Sequence, residues 1–290
     1  MKAIKVYKFG DPQVLQIEDV VTLVPEAGEV VVDVKAAGVN PVDAYIRSGN
    51  YPVSVNFPYT PGIDGAGIIK AVGENVKKFA AGDRIYFSGC QSGAYAQEAK
   101  CLSSQVFFLP ENISFEQGAA VGIPYSTAYR ALFTKARAVD QEIIFIHGAS
   151  GGVGVATLQL AKMANIKIIG SAGSERGLSL VKEQGADHVV NHNQPGYMKE
   201  VARILNGQGV DIVVEMLANV NLDADLNIIA KNGRIVVVGC RGEAVIHPRL
   251  AMVQDATILG MAVMNASLEE RIKIFSSLAE GLKTNKLNPV

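Results

Sequence analysis

"HGASGGVGVA", residues 147–156, is the densest run of small residues in the chain. It lies between an apolar run ("EIIFIHGA", 142–149) and a helix-like run ("GVGVATLQLAKMA", 152–164). A backbone this bare at a strand-to-helix seam can turn tightly and lie close to a bulky group. Gly148, Gly151, Gly152 and Gly154 let the chain approach a pyrophosphate. The start of the following helix supplies N–H donors and the positive end of its dipole. The spacing is GxxGGxG rather than strict GxGxxG, so the surrounding pattern has to carry the reading.

That pattern extends in both directions. Downstream, the strand-type runs "IKIIGS" (166–171), "DHVVNH" (187–192), "VDIVVEML" (210–217), "GRIVVVGC" (233–240) and "TILGMAV" (257–263) alternate with helical stretches. The helical stretches after the first are "SERGLSLVKEQG", "YMKEVARILNG" and "NLDADLNIIAKNG", each closing on a glycine where helices commonly stop. The alternation predicts an α/β domain with a doubly wound parallel sheet of Rossmann type. Upstream, residues 1–120 carry short strands ("KAIKVY", "VLQIEDVV", "EVVVDVKAAGV", "GAGIIKAVG", "DRIYF", "AYAQEAK") punctuated by Gly and Pro. The expected organisation is a β-rich domain over 1–122 and a dinucleotide domain over 123–264. A C-terminal helix over 265–290 leads back toward the first domain. "GIPYSTAYRALFTKA" (122–136) reads as the linking helix.

The dinucleotide is read from the second strand end. An NAD site commonly places Asp or Glu about 20 residues after the glycines, for the ribose diol. Here "IIGSAGSERG" has no carboxylate from Gly170 to Ser174, which favours the 2′-phosphate of NADPH over NADH. Arg176 or Lys182 could approach that phosphate, and Glu175 has an ordinary reading as a first-turn helix acid. By the same rule the other strand ends face the ligand: His192, Asn219 and Asn221, and Gly239 with Arg241.

Composition bounds the rest. The chain has 290 residues, 27 basic against 28 acidic, and a formal net charge of −1. That balance argues against a strong general binder of nucleic acid or membrane surface. No apolar run is long enough to cross a bilayer, and the N-terminus lacks a signal-peptide pattern, so a cytoplasmic location is expected. Cys90, Cys101 and Cys240 are scattered, which speaks against a disulfide framework or a cysteine zinc site.

"HGASGGVG", "EMLANVN", "GRIVVVGCRG", "GVNPVDAYIRSGNYP", "YTPGIDGAG" and "GIPYSTAYRAL" together resemble the zeta-crystallin type of NADPH:quinone oxidoreductase. That family belongs to the medium-chain dehydrogenase/reductase superfamily, and the likeness runs along essentially the whole chain. It implies a GroES-like β domain, a Rossmann domain and an active site between them. It also implies Asn40 and Tyr45 near nicotinamide and substrate, and Ser150, Gly151, Gly152 and Val153 on the pyrophosphate. Gly173, Ser174, His192, Asn221 and the segment Val238, Gly239, Cys240, Arg241 would complete the cofactor contacts. Zinc-dependent relatives place a Cys at the position of Asn40 and His-Glu at Ile63-Asp64; this chain therefore should hold no metal. Family members usually continue for some tens of residues past "LNPV", so the return segment is expected to be shortened.

A zinc-free protein needs an acceptor that is already electrophilic: a quinone, or an enone or alkenal. Asn40 or Tyr45 could donate to the substrate oxygen as charge builds on it. Asp43 and Asp64 read as structural rather than as general acids, and Arg47 as a rim charge. The resemblance further implies ortho-quinone acceptors, semiquinone products and a homotetramer or dimer. For some members it implies binding of AU-rich RNA or a structural role in lens.

Overall fold

Apolar residues alternating along short strands give the first unit an antiparallel sheet with one buried face. The computed structural model describes residues 1–290. β1 (Lys2–Lys5) and β2 (Gln16–Asp19) form a two-stranded ribbon. β3 (Glu29–Ala37), β4 (Asp64–Val72), β5 (Arg84–Ser88), β6 (Glu98–Leu102) and β7 (Val106–Phe108) form a five-stranded sheet in the order β6-β3-β4-β5-β7. Val30, Val32, Ile69, Ile85 and Phe87 pack its core. Between β3 and β4 lies α1 (Pro41–Ser48). α2 (Phe115–Ala119) follows β7; its Ser114 hydroxyl accepts from the Gln117 amide while the Gln117 side chain accepts from the Ser114 amide.

This unit comprises Met1–Ile123 together with Ala279–Val290. The C-terminal residues are held by specific contacts. Gln117 Nε2 donates to Asn288 Oδ1 and to the Pro289 carbonyl, and Leu287 is fully buried.

The second unit, Pro124–Leu278, is a six-stranded parallel sheet in the order β10-β9-β8-β11-β12-β13. The strands are β8 (Ile143–Ile146), β9 (Lys167–Ala172), β10 (His188–Asn191), β11 (Val210–Glu215), β12 (Ile229–Val237) and β13 (Thr257–Gly260). The helices are α3 (Gly122–Tyr129), α4 (Gly152–Met163), α5 (Glu175–Glu183), α6 (Tyr197–Leu205), α7 (Ala218–Asp225), α8 (Pro248–Gln254) and α9 (Leu268–Lys283). The strand order reverses between β8 and β11, and ligands of such sheets bind at that switch point, outside the carboxyl ends. All six strands expected from the sequence are present.

Three details differ from the sequence reading. "NLDADLNIIAKNG" is not one helix: α7 stops at Asp225, and Ile229 already pairs with Val210 as the start of β12. Burial decides this, because Ile228 and Ile229 are needed in the core beside Val210 and Val213. The segment 122–136 is α-helical only to Tyr129 and continues as a wider π-type helix over Arg130–Lys135. Residues 265–278 group with the second unit; only Ala279–Val290 belong to the first.

Candidate dinucleotide site

The turn after β8 is shaped by two glycines for different reasons. Gly148 has φ +55°, a left-handed conformation that favours glycine. Gly154 has an ordinary φ, but a Cβ there would lie 2.5 Å from both Ala149 Cα and the Gly148 carbonyl oxygen. The Gly151 amide closes the turn onto the Gly148 carbonyl at 2.9 Å. Gly151 caps α4, so the amides of Gly152, Val153 and Gly154 open the helix, where no intrahelical acceptor exists. Ser150, Gly151, Gly152 and Val153 therefore surround a set of convergent donors at the positive end of a 12-residue helix. This cradle fits a dinucleotide pyrophosphate.

The neighbouring strand ends are equally bare. Gly173 follows β9, and a Cβ there would stand 2.6 Å from His192 Nε2. His192 follows β10; its Nδ1 contacts the Ser171 hydroxyl at 3.4 Å. Partial burial, with a smaller contribution from His147, lowers its pKa and favours the neutral ring. Ser174 caps α5 by accepting from the Gly177 amide at 3.1 Å. Arg176 is exposed on the first turn of α5. Lys182 does not serve the same end: it sits in the last turn of α5 and donates to the carbonyls of Ala186 and Asp187.

Beyond the switch point, two loops are tied together. The Glu215 carbonyl accepts from Val238 and Gly239, the Gly239 carbonyl accepts from Ala218, and Asn219 Oδ1 accepts from the Arg241 amide at 2.9 Å. A Cβ on Gly239 would meet the Met216 carbonyl oxygen at 2.4 Å. Cys240 and Arg241 are exposed on this rim. Asn221 is turned inward: its Nδ2 donates to Glu215 Oε1 at 3.2 Å and its Oδ1 accepts from Tyr197 Oη at 3.4 Å. Asn221, expected at the cofactor, makes these two side-chain bonds at the start of the loop after β11.

Sequence reasoning missed what lies beneath. His147, Glu215 and Asp225 are buried together, with their ligand-type atoms within 4.8 Å of one another. Alone, each reads as an ordinary strand-end or helix residue; only the topology joins β8, β11 and α7. His147 Nε2 lies 2.7 Å from Asp225 Oδ1. That is a direct hydrogen bond, well inside the roughly 3.3 Å that separates ligands around a tetrahedral zinc ion. Burial pushes both carboxyls up to about 7 and lowers the His147 pKa.

In the first unit, Asn40 caps α1, and its backbone amide donates to Asp43 Oδ2 at 2.8 Å. Its side-chain Nδ2 donates to Asp64 Oδ2 at 3.0 Å, so one of its two amide hydrogens is committed inward. Asp64 is fully buried and also accepts from the Ser88 hydroxyl and the Ile123 amide. Burial raises it to about 7, against the pull of those hydrogen bonds. Burial likewise raises Asp43, which also accepts from Tyr95 Oη at 3.2 Å. Tyr45 is half-buried on α1 with its hydroxyl unpaired. Arg47 Nε donates to the Gly10 carbonyl. Ile63 offers no donor atom beside Asn40 and Asp64, so these residues do not fit a catalytic zinc.

Comparison with known proteins agrees with both halves. Residues 26–143 match the family described as alcohol dehydrogenase GroES-like domain, and residues 152–279 match the family described as zinc-binding dehydrogenase. Together with the parallel sheet and its glycine turn, these define an oxidoreductase of the medium-chain dehydrogenase/reductase superfamily. Within it the chain belongs to the quinone oxidoreductases. It is 44% identical over 291 residues to the quinone oxidoreductase of Sus scrofa, covering 100% of this chain and 88% of that protein. Against the quinone oxidoreductase of Rattus norvegicus the identity is 45%, with the same coverage. Among solved structures, Escherichia coli quinone oxidoreductase complexed with NADPH matches with a TM-score of 0.88 at 27% identity, over 99% of this chain and 90% of that one.

Proposed function

We propose that this chain is an NADPH-dependent reductase of quinones that works without a metal ion. The observation that carries the reading is the turn Gly148–Gly154, a cradle of helix amides at the switch point of a parallel sheet. NADPH, when bound, would supply two electrons: as a hydride, with one proton from water, to give a hydroquinone, or one each to two quinones, giving two semiquinones and releasing a proton. Ser150, Gly151, Gly152 and Val153 hold the pyrophosphate. The space at Gly173 and Ser174, with exposed Arg176 nearby, accepts the 2′-phosphate. His192 and the rim Val238–Arg241 border the same strand ends.

In the first unit, Asn40 has one amide hydrogen left to offer a substrate oxygen, and Tyr45 has its hydroxyl. Either stabilises negative charge as it develops there. Asp64 orients the Asn40 amide, and Asp43 anchors the Asn40 backbone. Asn221 borders the same strand ends, held by Glu215 and Tyr197.

The family resemblance supports the finer reading: ortho-quinones as acceptors, semiquinone as product, and a cytoplasmic location. Self-association is supported by the second unit. β13 ends its sheet, and Met252, Val253 and Ile258 beside it are exposed. No helix is long and apolar enough to cross a membrane. RNA binding and a lens role draw no support from a net charge of −1.

The test is oxidation of NADPH and NADH in parallel, with an ortho-quinone, a para-quinone and an alkenal as acceptors. The expected result is kcat/KM at least about tenfold higher with NADPH, and ortho-quinone the fastest acceptor. Equal use of NADH would overturn the cofactor assignment, and faster alkenal reduction would favour the enone-reductase alternative.

A further inference from the structure

The three cysteines are scattered along the sequence, but the first unit brings two of them face to face. β6 is an outer strand of the five-stranded sheet, and one of its edges pairs with β3, where Cys101 stands opposite Val30. Its other edge meets the loop after β5. There the Gln91 amide donates to the Lys100 carbonyl at 2.9 Å, and the Lys100 amide donates to Ser92 Oγ at 2.8 Å. This antiparallel register sets Cys90 opposite Cys101, one step along from Gln91 and Lys100. Side chains alternate between faces along such segments. Gln91 is exposed and Lys100 half-buried, whereas Cys101 is fully buried and Cys90 packs against the same core, which holds Val30, Phe87 and Ala99.

The position next to a hydrogen-bonded pair is the closer one in an antiparallel ladder, with Cα atoms about 4.5 Å apart. A disulfide needs Cα atoms about 4.4–6.8 Å apart. The backbone around the loop is already fixed: the amides of Gly89, Ala94 and Tyr95 donate to the carbonyls of Ile63, Gly62 and Pro61. Bridging the two thiols therefore asks for side-chain rotation rather than strand movement. The two sulfurs are unequal. Cys101 is sealed in the core, where burial and the neighbouring Cys90 raise its pKa well above the ordinary thiol value, so it keeps its proton. Cys90 is half-buried, with its Sγ donating to the Gly62 carbonyl at 3.5 Å, and is the member that solvent reaches. An accessible thiol with a second thiol beside it is the arrangement of a redox-sensitive pair.

We propose that Cys90 and Cys101 form a reversible disulfide when the protein meets a peroxide. The Cys90 thiolate attacks one peroxide oxygen: an S–O bond forms, the O–O bond breaks, and the leaving hydroxide takes up the proton that the thiol released. The products are water and a sulfenic acid on Cys90. The Cys101 sulfur then attacks Cys90 Sγ. The S–S bond forms, the S–O bond breaks, and the hydroxyl leaves as water with the Cys101 proton. Two thiols lose two electrons, and one hydrogen peroxide becomes two waters. The step needs no nucleotide. It closes the loop from Gln91 to Lys100, which restricts the unfolded chain and makes the oxidised form the more stable one.

The experiment treats the reduced full chain with hydrogen peroxide and blocks the remaining thiols with N-ethylmaleimide. Intact mass, non-reduced peptide masses and melting temperature are then measured. The expected result is loss of the mass of two hydrogen atoms, one peptide pair joining Cys90 to Cys101, and a melting temperature several degrees higher, all reversed by dithiothreitol. Cys240→Ser should behave as the wild type does. Cys90→Ser, a change at a half-buried site, should give no bridge and leave Cys101 as a thiol. Cys101→Ala should leave Cys90 as a sulfenic acid that dimedone captures. Oxygen added at Cys90 of the wild type with no linked peptide would overturn the proposal. So would a bridge that includes Cys240, or a treated chain that keeps all three thiols. The wild-type and Cys240→Ser readings decide it even where another variant fails to fold.

Discussion

Asp64 shows how one side chain can carry both a structural bond set and a pH signature. Its Oδ2 receives the Asn40 amide and the Ile123 N–H; its Oδ1 receives the Ser88 hydroxyl. Asp64→Asn can keep all three if the Ser88 hydroxyl turns to accept, as it would from a protonated acid. Asp64→Ala leaves buried donors unpaired and should cost about 1–3 kcal/mol for each. The pH sign follows from the shift. A carboxyl raised to about 7 in the fold keeps its proton where the unfolded chain has lost it. Its stabilising contribution is full below the unfolded value and disappears as pH rises through the folded one. The wild type should lose stability between about pH 4 and about pH 7, by up to about 1.4 kcal/mol per pH unit for this group. Denaturant titrations of Asp64→Asn should show that part of the slope gone; an unchanged slope would locate the effect elsewhere. A second residue prediction concerns Gly152. A Cβ there meets only Pro124, at 3.4 Å, so the turn itself tolerates a side chain. Gly152→Val should weaken NADPH binding about tenfold or more with little loss of stability; unchanged affinity would contradict the placement of the pyrophosphate.

Elements define the site through their ends. α4 begins where Gly154 passes against the Gly148–Ala149 backbone, a contact with no slack. Gly154→Ala should therefore cost about 1–3 kcal/mol in thermal or chemical unfolding. α5 begins at Ser174, whose hydroxyl accepts from Gly177. Ser174→Ala should cost about 1 kcal/mol through the lost cap and also raise KM for NADPH more than for NADH, the readout that separates a cofactor contact from a cap. α1 could have been read from its sequence: Asn40 as cap, Pro41 in the first turn, Asp43 reaching back, and Gly49 in the left-handed conformation after it. Its eight residues sit among strands, and the surrounding β pattern hid it.

Over the whole molecule, metal content is the discriminating quantity. Residues 152–279 match a family described as zinc-binding, yet Ile63 offers no ligand atom and Asn40 only a poor one for zinc. Elemental analysis of the purified protein should find no stoichiometric zinc; one ion per chain would overturn the metal-free reading. The C-terminal residues are integral to the first unit, since Leu287 is fully buried there. Leu287→Ala should cost about 2–5 kcal/mol as a cavity mutation.

Local chemistry made much of this legible before any coordinates. Glycine spacing and strand–helix alternation depend on residues close together in the chain, so the Rossmann sheet and its glycine turn could be read directly, and the missing carboxylate at the end of β9 carries the proposed preference for NADPH. The tail of "NLDADLNIIAKNG" could not, because its apolar residues suit a helix or a strand and only packing against Val210 and Val213 decides for β12. Nor could the inward turn of Asn221, the sequestering of Lys182 at the far end of α5, or the buried cluster of His147, Glu215 and Asp225. Those rest on side chains from separate elements meeting out of water, where burial raises the cost of charge and selects each partner.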